Sequence, residues 1–155
     1  MNGAFALNRK ETFSVSMVIF IGFFYLLSLA SALFQTRSIP LNRLFGVTEI
    51  KYLFLGIFYW SGAISFFRVK KWGWVICTAT LLNLIVIVSQ LIISVSQSSK
   101  FNGYAAIVIS SFVLVVAAFL FLFTKETRIK FMVNNRSYLL VIVVYVVLLA
   151  MTFLR

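Results

Sequence analysis

The chain has no histidine, one cysteine, one proline and three acidic residues, Glu11, Glu49 and Glu126, among 155 residues. So few ligating groups cannot assemble the usual donor sets for zinc, haem or iron–sulfur clusters from this chain alone. Cys77 has no second thiol with which to form an intrachain disulfide. The serines have no histidine to activate them, and Cys77 has no base nearby in sequence, so no catalytic constellation is visible. No acidic or basic residue lies inside the apolar runs, which disfavours a proton relay through them. These shortages point to a non-enzymatic protein with no cofactor and no metal.

What the chain has in abundance is apolar surface: 63% of its residues are hydrophobic and 17% aromatic, with a mean hydropathy of +1.07. A soluble domain of this length has nowhere to bury that much, so an integral membrane protein is expected. The formal net charge of +11 does not signal nucleic acid, because Lys and Arg are confined to short segments between apolar runs. There they serve as topological signals and as contacts to anionic lipid headgroups.

Helical rise and run length predict an all-α, up-and-down bundle of five transmembrane helices in a single domain, with spans at about 13–34, 50–67, 72–95, 104–124 and 138–154. Residues 1–12 read as a short polar leader. The first span also reads as a secretory signal peptide with Ala30-Ser31-Ala32 as its cleavage site, although its apolar run is at the long limit for one. The second apolar run is short and borrows 47–51 as a first turn, which puts Glu49 near a helix amino terminus. The loop around Pro40, with Leu41, Leu44, Phe45 and Ile50 among polar residues, reads equally as an interfacial amphipathic helix and as a plain connection. Nine of the 14 Lys and Arg fall on the side of the leader, the second turn and the fourth turn, and five on the other. The amino terminus is therefore expected in the cytoplasm and the carboxyl terminus outside. Asn135-Arg136-Ser137 matches a glycosylation acceptor, but on the cytoplasmic side, where it is read as a chance match.

The third span carries a polar stripe of Thr80, Asn83, Gln90, Ser94 and Gln97 within about a third of its circumference. Asn83 falls at its midpoint, and Tyr25, Tyr59, Trp60 and Tyr145 fall near the midpoints of spans one, two and five. Buried in hydrocarbon, such groups need partners within the bundle. Tyr25, Tyr59, Trp60, Asn83, Gln90, Ser94 and Tyr145 are thus a candidate intramembrane network, with Asn83 expected to pair with one of the four aromatic residues and Gln90 to point inward. Ser28, Ser31, Gln90, Ser94, Ser110 and Ser111 share an outer depth and would line a polar pocket if they converged. Ser28 with Ala32, Ser61 with Ser65, and Ala106 with Ser110 are small-residue pairs at the spacing of close helix packing.

Arg68, Lys70, Lys71, Lys125, Arg128 and Lys130 are candidate contacts for headgroups or for a protein partner, and Glu126 with Lys130 is expected to carry the fourth helix onward into the cytoplasm. The boxes Phe67-Arg68-Val69-Lys70-Lys71-Trp72-Gly73-Trp74 and Thr124-Lys125-Glu126-Thr127-Arg128-Ile129-Lys130-Phe131 resemble those of uncharacterised small multi-pass bacterial membrane proteins. The resemblance covers 52–131 and implies a bacterial inner membrane, without an activity. Two functions are carried forward: an accessory or assembly subunit that packs against other membrane-protein subunits, and a small-molecule or lipid binder or carrier using the outer polar pocket.

Overall fold

The computed structural model describes residues 7–35, 47–97 and 103–153, and among them the protein is all helical. The elements are α1 (Arg9–Gln35), α2 (Val47–Phe67), α3 (Lys71–Gln97), α4 (Gly103–Leu122), α5 (Lys125–Lys130) and α6 (Asn135–Phe153). Most of the loop around Pro40 and most of the connection after α3 lie outside the described residues.

Four of the helix ends have a local cause. α1 opens with a capping box: the Glu11 N–H donates to Asn8 Oδ1 at 2.9 Å, and the Asn8 N–H donates to Glu11 Oε2 at 2.8 Å. The helix therefore starts before the expected boundary at residue 13 and takes in Arg9 to Thr12 of the supposed polar leader. α2 begins at Val47 and ends in a Schellman turn, in which the N–H of Lys70 reaches Ser65 O and that of Val69 reaches Phe66 O, both at 2.9 Å. Val69 takes the left-handed position of that turn, at φ 50°. The same device ends α5, where Val133 N–H bonds to Arg128 O at 2.9 Å and Met132 stands at φ 51°. α6 is capped by Asn134, whose Oδ1 accepts from the Ser137 N–H at 3.1 Å. Ser137 of the apparent glycosylation signal is buried in this cap.

α3 is the central helix, in contact with α1, α2, α4 and α6, while α4 also packs on α1. α6 packs chiefly on α3. The core runs through Val15 and Val18, Leu55, Tyr59 and Phe66, Trp74, Val75 and Leu81, Val115 and Leu122, and Phe131. Outside it the surface stays apolar: Ile107, Val113 and Leu120 on α4 and Leu139, Ile142, Val143 and Val146 on α6 are all exposed. A helix that is apolar all round belongs inside a large core or in a membrane. Among the described residues, three helices are long and apolar enough to cross a bilayer, over Lys71–Ser94, Ala105–Leu122 and Asn135–Thr152, and α2 holds a shorter apolar stretch, Leu53–Phe67.

Glycine decides how closely α2 and α3 meet. A Cβ on Gly73 would collide with the backbone of Ser65 and Phe66, so the first turn of α3 lies directly against the last turn of α2. Gly22 of α1 similarly receives the Trp60 ring, which would lie 2.9 Å from a Cβ there. Of the small residues singled out from spacing, Ser65 stands at the Gly73 contact through its backbone. Ser61, Ala106 and Ser110 are exposed, the Ser61 and Ser110 hydroxyls bond to their own helices, and the side chains of Ser28 and Ala32 lie outside the described residues.

Candidate functional site

The polar chemistry collects at the end of the bundle where α1 starts, the α2–α3 turn lies and α4 gives way to α5. α4 does not continue through Glu126 and Lys130 as expected. It stops at Leu122, Thr124 is extended at φ −60° and ψ 145°, and α5 is a separate short helix. The break has a packing cause, because turning α5 back buries Thr127 and Phe131 against the bundle and brings the Phe131 ring 4.4 Å from Phe66.

Under α5 lies Glu11, 1% exposed. Its Oε2 accepts from Lys130 Nζ at 2.7 Å as well as from the Asn8 N–H, and its Oε1 accepts from Thr127 Oγ1 at 3.3 Å. A buried carboxylate is tolerable only when paired and hydrogen-bonded, and here both oxygens are engaged. Lys130, 14% exposed, is thereby an internal partner rather than a headgroup contact. The spacing Asn8-x-x-Glu11 was the available signal for the helix start, but nothing local indicates that Glu11 faces residue 130.

The same end is stitched by side chains that reach backbone carbonyls on other helices. Trp74 Nε1 donates to Leu122 O at 2.9 Å, satisfying a carbonyl that the end of α4 leaves open. The Trp74 ring meets Phe123 and Tyr138 edge-on, each with centroids 5.7 Å apart. Ser14 Oγ donates to Ala118 O at 2.8 Å, shorter than its 3.1 Å contact to Lys10 O. Lys71 Nζ donates to Asn134 Oδ1 at 3.0 Å, tying the α2–α3 turn to the cap of α6. Arg68, Lys70, Lys125 and Arg128 remain exposed.

The central polar network is smaller than expected. Asn83 is buried and Nδ2 donates to Thr152 Oγ1 of α6 at 3.2 Å, so among the described side chains its partner lies in the same chain and is Thr152 rather than Tyr59, Trp60 or Tyr145. Asn83 Oδ1, Thr78 Oγ1 and Thr80 Oγ1 are buried without a protein partner. Tyr59 is buried in the core, Trp60 is 38% exposed beside Gly22, Tyr145 is half-buried, and the Tyr25 side chain lies outside the described residues. Gln90 and Ser94 are exposed and do not point inward. Gln90 stands about 28 Å along α3 from Lys71, about two turns beyond the buried Asn83 and toward the far end of the helix. Ser110 and Ser111 are exposed too, with hydroxyls on Ala106 O and Ile107 O of their own helix at 2.8 Å.

Fold and site together define an all-helical protein, compatible with a membrane location, whose polar side chains fasten one end of a helix bundle. Compared with known protein families, curated proteins and solved structures, the chain matches none.

Proposed function

We propose that the chain is a five-span integral membrane protein, amino terminus cytoplasmic and carboxyl terminus outside, working as a non-enzymatic accessory or assembly subunit of a membrane complex, in a bacterial inner membrane as its basic boxes suggest. α1 and α2, at 27 and 21 residues, are long enough at 1.5 Å per residue to cross a core of about 30 Å alongside the three apolar segments of α3, α4 and α6. The orientation rests on the excess of Lys and Arg at the end that carries the Glu11–Lys130 pair.

One observation carries the subunit reading. α6 is docked chiefly on α3, and Leu139, Ile142, Val143, Val146 and Val147 form an exposed apolar ridge along it. A helix held by one neighbour leaves grooves on its flanks, and van der Waals packing into such grooves is how helices associate in lipid. Native mass spectrometry after mild extraction, combined with photo-crosslinkers at Val143 and Val146, tests this. A second protein crosslinked from those positions is the expected result. An isolated chain that crosslinks only to lipid refutes the subunit reading. Reporter fusions in 36–46, in 98–102 and after Arg155 test topology, and all three in the cytoplasm would refute the orientation.

A further inference from the structure

The outward side of α5 combines charge with apolar surface. Lys125, Arg128 and Ile129 share one strip at helical spacing, and with Met132 and Val133, just beyond the end of the helix, they line an open groove of about 270 Å³. The strip cannot roll inward, because Thr127 and Phe131 are buried on the opposite side and Lys130 is held by Glu11. Arg128 is partly positioned as well, with Nη1 donating to the Tyr138 hydroxyl at 3.5 Å. Glu126 does not line the groove. Two cations therefore stand beside three apolar side chains at the point where α4, about 30 Å long, has run out.

Met132 adds an independent observation. It is 81% exposed and sits at φ 51°, a conformation that disfavours every side chain and that glycine adopts freely. The Schellman hydrogen bonds at Met132 and Val133 hold that backbone, and they leave an apolar side chain pointing away from the fold where a partner outside the chain can cover it. We propose that the groove holds one anionic phospholipid, its phosphate between Lys125 and Arg128 and its glycerol and upper acyl region against Ile129, Met132 and Val133. The assignment rests on the membrane-spanning reading above and not on the subunit reading.

The test uses the full chain reconstituted in nanodiscs of phosphatidylcholine and phosphatidylglycerol, with retained lipids measured by native mass spectrometry. Failure to enter the discs would refute the spanning reading and the groove with it, whereas loss of lipid selectivity inside the discs refutes the groove alone. Wild type should retain one phosphatidylglycerol in preference to phosphatidylcholine. Lys125→Ala with Arg128→Ala should weaken that retention about 30-fold, at about fivefold per surface cation. Arg9→Ala with Arg136→Ala removes the same charge from exposed positions at the same end and should leave it within about twofold. Met132→Gly should lower retention severalfold while the melting temperature holds or rises, which separates the groove from a folding defect. Equal losses in the two double variants, or unchanged retention in Met132→Gly, overturn the proposal. Displacement of the lipid by millimolar inorganic phosphate would make this a plain anion site and overturn the lipid assignment.

Discussion

Lys130 Nζ lies 2.7 Å from Glu11 Oε2, joining residues 119 positions apart and clamping α5 across the start of α1. The two partners are unequally buried, and that asymmetry sets what each substitution does. Lys130→Met leaves a buried carboxylate with only its hydrogen bonds and should cost about 3 kcal/mol. Glu11→Gln keeps an acceptor for Thr127 while Lys130 can swing toward solvent, so it should cost about 1–2 kcal/mol. The double variant should cost less than the two combined, by about 1 kcal/mol or more. Thermal unfolding in a mild detergent measures all three, and strict additivity would mean that the pair contributes nothing as a pair.

How much of this was legible in the sequence follows from how local each signal is. Helical class, the long third helix and its buried Thr80 and Asn83 were readable, because run length and the 3.6-residue period are properties of a single segment. The partner of Asn83 was misread because matching spans by midpoint assumes that all start at one level. The ties Lys71–Asn134 and Asn83–Thr152 enclose a longer stretch of α6 than of α3, so those helices are out of matched register. Glu11 was missed for a similar reason. A capping box shows in four residues, whereas the partner that makes it a buried charge comes from a helix that exists only because α4 breaks.

Gly73 should be the least tolerant of the glycines within the described helices. A Cβ there meets main chain at Ser65 and Phe66 rather than a side chain that can rotate away. Gly73→Ala should therefore separate the α2–α3 hairpin, costing about 3 kcal/mol or more. Size-exclusion profiles and melting temperatures report it, and a monodisperse variant melting with the wild type would show that the close approach is not needed.

Trp74→Phe keeps an aromatic ring among Phe123 and Tyr138 but removes the donor to Leu122 O. The buried carbonyl loses a partner, and about 1–3 kcal/mol should go with it. Asn83→Leu is the contrast. It removes one bond to Thr152 but also an acceptor, Oδ1, that has no protein partner, so it should shift stability by less than about 1 kcal/mol in either direction. Melting curves that rank Asn83→Leu as the more damaging of the two would contradict this account of the core.

The two Schellman turns place non-glycine residues at left-handed φ, and they should respond to glycine differently. At Met132 the side chain is exposed, so Met132→Gly removes a conformational cost of about 1–2 kcal/mol at the expense of some chain entropy. The expected net gain is about 0.5–1 kcal/mol in detergent. Val69 occupies the equivalent position in the other turn, but its side chain is half-buried against the core. There the lost packing, about 1 kcal/mol for a partly buried valine, offsets the relieved strain, and Val69→Gly should lie close to wild type. Unfolding of both variants in one detergent makes the comparison direct. If Met132→Gly melts lower than the wild type, then the exposed methionine is held by this chain itself and not by whatever covers it in a bilayer.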